Sequence, residues 1–370
     1  MKPEIKKKIF LALRLTISAA LIFLIFREVS AREDLSGLVN YYYGAGYGWL
    51  AGAAALLFLL LGAGSWRWGM LLAAQGIHLR PASVFMYYMI GFFFNHFLPT
   101  TVGGDVVKAF YLTRSTGKGA EAVVSVILDR AIGIAGMAAV ALIALLIGGS
   151  ALAGLPTARP FFFPIIALVA GVFFGLGLFF LIGFTTAPAA WLLKLVKWRR
   201  LREKVERVHR TLSLLRGKPA VLARAFAVST GIWVLIVVIC WLVYMAFRAG
   251  SGAPTEGKIA TIPIGFFFLF IPAISVASSQ PITFAGWGTR EALFVILFSA
   301  IPGVGRLDAL FLSLNYFLIF LVNALVGGLI YIFKDQLHFH QENLKAEGMD
   351  PEAFPAPLGD KIRNPEGEGE

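Results

Sequence analysis

The chain has 370 residues, 58% of them hydrophobic and only 15% charged. A soluble domain carries about a quarter of its residues as charges and about half as apolar side chains, so the composition excludes a cytosolic enzyme and indicates an integral membrane protein. The formal charge of +12, from 33 Lys and Arg against 21 Asp and Glu, lies mostly between apolar runs, where it sets topology rather than binding nucleic acid.

Eight apolar stretches follow one another, roughly 9–26, 48–65, 83–98, 122–147, 161–184, 225–247, 262–279 and 308–333. A ninth, 292–301, is too short to span a bilayer alone. The first follows Lys6, Lys7 and Lys8 and precedes Val29-Ser30-Ala31, a pattern shared with secretory signals. Arg14 within it and the many later spans favour an uncleaved helix. Cys240 is the single cysteine, so no intramolecular disulfide can form.

Cytoplasmic Lys and Arg orient such spans. Lys2, Lys6, Lys7 and Lys8 put the N-terminus in the cytoplasm, residues 27–46 outside, and Arg67 and Arg80 inside again. Residues 185–224 hold eleven Lys and Arg against Glu203 and Glu206, and must also be cytoplasmic. A complete crossing by 83–98 would put them on the wrong side. If 83–112 instead dips in and returns, Arg114 and Lys118 stay inside and everything downstream agrees. Residues 99–105, Pro-Thr-Thr-Val-Gly-Gly-Asp, supply the break, because Pro and paired Gly interrupt a helix. A second break at 280–289 makes 262–301 another such hairpin, opened from outside, and places the C-terminus in the cytoplasm.

The expected fold class is an all-α polytopic membrane protein with about eight transmembrane segments. Two of these are re-entrant or broken, and the whole forms inverted repeats at about 1–150 and 155–335 of one domain, 1–335. The breaks resemble each other: Pro99-x-Thr101 precedes Gly103 and Gly104, and Pro281-x-Thr283 precedes Gly286 and Gly288. An acid follows each, at Asp105 and Glu291. Broken helices in corresponding positions of inverted repeats point to a binding site at the bilayer midplane. Between the repeats, 189–216 carries Leu201, Val205, Val208, Leu212 and Leu215 at helical spacing, which reads as an interfacial amphipathic anchor on anionic lipid. Residues 336–370, acidic and Pro-containing, read as a disordered cytoplasmic tail.

Ionisable groups at membrane depth are costly and mark function by default. Here they are Arg14, Asp105, Lys108, Asp129, Arg130, Arg290 and Glu291. Asp105 and Thr289 stand where N-caps of the returning half-helices would stand, and two half-helix N-termini make an anion receptor. Arg130 and Arg290 add bidentate contacts to phosphate. Asp105, Asp129 and Glu291 balance those cations or carry a coupling proton. The candidate substrate-binding set is Thr101, Gly103, Gly104, Asp105, Lys108, Asp129, Arg130, Thr283, Gly286, Gly288, Arg290 and Glu291. The alternative is structural: Asp129 and Arg130 pair with Arg290 and Glu291 to hold the repeats together, and Asp105 only caps its helix. Arg14 reads as snorkelling, and Asn95, Asn315 and Asn323 as interhelical hydrogen bonders.

Other patterns carry no chemistry. Gly44-x-Gly46-x-Gly48 lacks a dinucleotide site's strand–helix context, and 103–108 lacks the Gly-Lys-Ser/Thr ending of a P-loop. His338 and His340 have no further ligands nearby. Gly171 and Gly175 read as a helix-packing pair. No catalytic constellation, metal site or cofactor motif emerges.

The run Asn95-His96-Phe97-Leu98-Pro99 through Gly103-Gly104-Asp105, then Asp129-Arg130, then Pro281 to Arg290-Glu291, resembles the lysylphosphatidylglycerol synthase transmembrane-region family, also called flippase-like. The resemblance extends to about residue 335, with Ala285 departing from a glycine frequent in the family. It implies a polytopic inner or plasma membrane protein that moves phospholipids or lipid-linked sugars between leaflets. The aminoacyl-transfer domain of the namesake enzymes is missing from the sequence, so lipid aminoacylation is not implied.

The leading expectation is thus a lipid flippase or transporter for an anionic phospholipid or polyprenyl-phosphate-linked substrate. Its partners would be membrane lipids and a separate lipid-modifying enzyme. One alternative is a membrane enzyme or subunit supporting glycosyl or aminoacyl transfer onto lipid. Another is a non-catalytic scaffold.

Overall fold

A computed structural model describes residues 3–31, 45–98, 102–154, 159–184, 217–250, 262–279, 283 and 286–333. Segment 189–216, the tail 336–370, Thr101, Pro99, Pro281 and the Arg14 side chain lie outside the described positions. Among the described residues there are ten helices and no strand. In chain order they are α1 (Pro3–Ser30), α2 (Tyr47–Ala74), α3 (Pro81–Phe97), α4 (Gly103–Thr116) and α5 (Gly119–Gly154). There follow α6 (Arg159–Phe184), α7 (Pro219–Gly250), α8 (Ile264–Ser278), α9 (Thr289–Phe298) and α10 (Arg306–Phe333).

Among the described residues, four helices are long and apolar enough to cross a bilayer: α2, α5 over Gly119–Gly149, α7 over Pro219–Arg248, and α10. At 1.5 Å per residue, the 28 residues of α2 reach about 42 Å. By the same rise the 17 residues of α3 reach only about 25 Å and the 14 of α4 about 21 Å. The 15 residues of α8 and 10 of α9 reach about 23 and 15 Å, so all four fall short of a hydrocarbon core of about 30 Å.

These short helices form two hairpins. In the first, α3 and α4 touch backbone to backbone, so that a Cβ on Gly104 would overlap the Gly91 carbonyl. Asn95 Oδ1 accepts the Gly104 N–H at 2.9 Å near the tip, and Tyr87 and Tyr111 stack 5.6 Å apart toward the base. The chain comes back to its starting end, where Lys118 Nζ donates to the Gly76 carbonyl at 3.4 Å. In the second, the tip is closed by Gly286 (φ 79°), where a Cβ would lie 2.8 Å from the Ser278 carbonyl oxygen. Further down, Phe267 and Phe270 lie 5.2 and 5.3 Å from Phe298. At its base the Ile262 N–H donates to Tyr244 Oη of α7 at 3.0 Å, and Phe298 and Val304 border the same small cavity.

The pair α2–α7 sets the direction of both hairpins. The Gly46 N–H donates to the Ala246 carbonyl at 2.7 Å, and Lys218 Nζ donates to the Ala74 carbonyl at 2.7 Å. The start of α2 therefore meets the end of α7 and the reverse, so the two helices run antiparallel. The first hairpin leaves the end of α2 and the second the end of α7, from opposite ends of the molecule. Packing partners match across the halves: α2 lies on α3 as α7 on α8, α4 on α5 as α9 on α10, and α3 on α10 as α8 on α5.

Small residues make the close crossings, as is usual without a hydrophobic drive between helices. A Cβ on Gly136 would come within 2.7 Å of Ser229, which brings α5 against α7. Gly327 sits against the Met89 carbonyl, joining α10 to α3. The spacing of Gly171 and Gly175 predicts a similar seam. It is not one among the described residues, since nothing lies within 4 Å of where either Cβ would be.

Candidate functional site

The first half holds a chain of buried charges. Arg67 of α2 donates to Asp129 Oδ1 through Nη2 at 2.8 Å and Nε at 3.0 Å, and through Nη1 to Ser229 Oγ of α7. Lys108 Nζ donates to the other carboxylate oxygen of Asp129 at 3.3 Å and lies 3.9 Å from Asp105. It also stands 4.8 and 4.6 Å from the ring centroids of Trp68 and Tyr88, a cation–π arrangement that desolvation strengthens. Asp105 in turn pairs with Arg130. A line of alternating charge thus runs Arg67–Asp129–Lys108–Asp105–Arg130 and ties α2, α4 and α5 together.

The second half holds one pair. Arg290 donates to Glu291 and its guanidinium carbon lies over Phe317, 4.2 Å from the ring centroid. Glu291 Oε2 also accepts the Gly288 N–H at 2.7 Å, and Thr283 and Thr289 hydroxyls bond at 3.1 Å. Around them the interior is aromatic rather than ionic, with Phe294 stacked on Phe298 at 5.3 Å and Tyr316 packed on Phe294. Asp129 and Arg130 stand to Asp105 in sequence as Asn315 and Tyr316 stand to Glu291, and Lys108 corresponds likewise to Phe294.

Three expectations are corrected here. Asp105 does not cap α4, because the helix begins at Gly103 and Asn95 reaches across from α3 to bind the second residue's N–H. Thr289 does not cap α9, because the backbone turns at Gly288 (φ 84°) and Glu291 takes the free N–H. Nor do Asp129 and Arg130 pair with Arg290 and Glu291; the ion pair seen between the halves joins Arg306 of α10 to Glu28 of α1. Of the asparagines, Asn95 and Asn323 do bond between elements, Asn323 to the Ala54 carbonyl at 3.3 Å. Asn315 Nδ2 bonds within α10, to Phe311.

Arg67 belongs to the site and its sequence reading, a marker of the cytoplasmic side, missed this. It is 6% exposed. The apolar window around it ends at 65, but Trp66, Trp68 and the apolar Leu71-Leu72-Ala73-Ala74 beyond it were the available sign that the helix continues.

The tips of the two hairpins enclose a cavity of about 290 Å³. Arg130 and Arg290 both line it, with Asn95, His96, Ser275, Ser278 and Tyr316. His96 Nδ1 bonds the Phe92 carbonyl at 2.9 Å, and since a carbonyl only accepts, that nitrogen carries the proton. Beside this cavity lies an open, apolar groove of about 450 Å³ between α4, α5 and α6, walled by Val102, Ile127, Ile134, Val172 and Leu176. Arg130 borders both spaces, and Asp105 borders the groove. Of the other predicted residues, Lys108 and Asp129 lie behind Arg130 in the charge chain. Gly103 opens α4 and Gly104 makes the crossing of the first hairpin, and Thr283, Gly286 and Gly288 shape the tip of the second.

Apolar helices of spanning length around two short, charge-bearing hairpins define a multi-pass, membrane-embedded protein. The chain belongs to the family described as the lysylphosphatidylglycerol synthase TM region, whose sequence model matches residues 11–327. No curated protein matches it.

Proposed function

We propose that the protein is a lipid flippase of the cytoplasmic membrane, with both termini in the cytoplasm, that takes an anionic lipid head group between its two hairpins. One observation carries this reading: an arginine from each half, Arg130 and Arg290, lines the same cavity between the hairpin tips. Guanidinium groups at membrane depth are expensive unless something anionic meets them, and their planar donors suit phosphate oxygens. The apolar groove beside Arg130 continues the space toward the lipid phase. Hairpins that return to their own ends, mounted on an antiparallel pair, support two re-entrant elements in inverted repeats, and such sites serve alternating access.

The test is transport. Vesicles containing purified protein and a fluorescent anionic phospholipid should lose label protection against a membrane-impermeant quencher faster than empty vesicles, and Arg290→Ala should abolish the difference. Wild-type rates from a folded Arg290→Ala protein would refute the assignment.

A further inference from the structure

The two hairpins differ in what lies beside them. Val102 stands three residues before Asp105 as Gly288 stands before Glu291, and Ile127 precedes Arg130 by three as Ser313 precedes Tyr316. In the first half these positions are open: Val102 is 52% exposed and Ile127 40% among the described residues, and both wall the apolar groove between α4, α5 and α6. In the second half they are shut, with Gly288 buried and Ser313 0% exposed. What lies on Gly288 is α1, for a Cβ there would stand 2.8 Å from Leu21 Cβ and 3.1 Å from the Ser18 carbonyl oxygen. The local cause is one side chain. A valine at 102 keeps a neighbouring helix at side-chain distance, whereas glycine at 288 lets the α1 backbone come down on it.

The hold on α1 is light. Besides Gly288, the described residues give it a small apolar cluster around Val29, Leu307 and Leu310 and the ion pair of Glu28 with Arg306, whose side chains are 56% and 33% exposed. An exposed pair of this kind contributes little to stability. Within the closed half, Ser313 Oγ is buried without a hydrogen-bond partner among the described residues, a costly condition that the entry of any polar group would relieve. Both ways lead to one cavity. Arg130 borders the groove and the cavity, while its counterpart Tyr316 and Phe317 line the cavity from α10 and Arg290 does so from α9. The groove runs along α4 and α5, which meet at the end marked by Lys118. The seam runs along α9 and α10, which meet at the opposite end, near Ile262 and Tyr244. The two ways therefore face opposite leaflets.

Resting on the flippase reading, we infer that the seam between α1 and α9 is a second lateral passage for lipid, with α1 as its lid. The groove beside α4 is the standing passage to the other leaflet, and the lipid crosses between them with its head group in the shared cavity.

Fixing the lid tests this. Cysteines replace Glu28 and Arg306 in the full-length protein and are joined by a cleavable bifunctional thiol reagent. In vesicles holding a fluorescent anionic phospholipid, joining them should bring transport down to the rate of empty vesicles, and cleavage should restore it. Undiminished transport by the joined protein overturns the lid. Lipid entry is read without transport, using phosphatidylglycerol with a diazirine in one acyl chain, photolysed in nanodiscs and mapped by peptide mass spectrometry. Label should reach the groove wall around Ile127 in every variant. On the stretch from Leu310 to Phe317, none of it exposed, label should be scarce in the wild type. It should rise several-fold in Leu21→Ala, which shifts the population toward an open lid, and vanish in the joined protein. Label there that is the same in all three overturns the gated passage. Label that follows the lid in a protein that transports no lipid leaves the passage standing and sinks the flippase reading; no label in either place sinks both.

Discussion

Arg67 grips a single oxygen of Asp129 with two nitrogens, at 2.8 and 3.0 Å, leaving the other oxygen to Lys108. Asp129 is therefore the shared partner of two cations. Replacing it with Asn takes the nearest carboxylate from both, leaving Lys108 only Asp105 at 3.9 Å, and breaking a buried pair in this way costs about 3–5 kcal/mol. Arg67→Met leaves Asp129 still paired with Lys108 and should cost less. Thermal unfolding in detergent should rank Asp129→Asn well below Arg67→Met, and the reverse order would contradict the shared-partner geometry.

Gly104→Ala should open the first hairpin. The added methyl group meets the Gly91 carbonyl, backbone that cannot step aside, and overpacking of this kind costs about 1–3 kcal/mol or more. Gly171→Ala is the control, since open space surrounds that position. It should be neutral or stabilising by up to ~1 kcal/mol, the helix propensity difference. Folded yield and melting midpoint read both variants.

Glu291→Gln keeps an oxygen for the Gly288 N–H but removes the negative charge from beside Arg290. The melting midpoint should fall. Phosphatidylglycerol should bind several-fold more tightly, within the tenfold that about 1.4 kcal/mol represents, because the ligand no longer competes with a carboxylate. Weaker phosphatidylglycerol binding would show instead that Glu291 positions the guanidinium.

Lys118 and Lys218 both cap carbonyls at one end of α2, those of Gly76 and Ala74. Tyr47 marks the other end and is exposed. Cysteines placed at 118 and 218 should react with an impermeant maleimide from the same side of the membrane, and one at 47 from the opposite side. The native Cys240 is fully buried and should stay silent, as thiols without access do. Labelling of positions 118 and 218 from opposite sides would rule out a first hairpin that turns back.

The helix interruptions between α3 and α4 and between α8 and α9 were readable from sequence because their cause is local. Pro and Gly break a helix wherever they occur, and the charge of 185–224 constrains the count of crossings before it. Partner choice was not local. Whether Asp129 meets Arg290 or Arg67 depends on which helices become neighbours, and nothing near Asp129 in sequence says that α2 lies beside it. The helix starts went astray for the same reason. A residue-type rule picks Asp105 and Thr289, while the N–H groups are satisfied by Asn95 from another helix and by Glu291 from the turn ahead. Arg67 was hidden by its usefulness as a topology marker, since a cation near a helix end serves both readings until its burial is known.

Arg130 stands between two unlike compartments, one where amide, hydroxyl and imidazole groups alternate with aromatic rings, the other walled almost wholly by aliphatic side chains. The chain has thereby brought a polarity step into its own interior and placed one long, amphipathic side chain across it. An amphiphile arriving there is sorted end from end before any closure occurs, because each part of it finds its own solvent. The charge and the partition are separable properties of that residue. Arg130→Gln would keep the two solvents apart while giving up the attraction, and Arg130→Leu would let the oily one spread into the polar chamber.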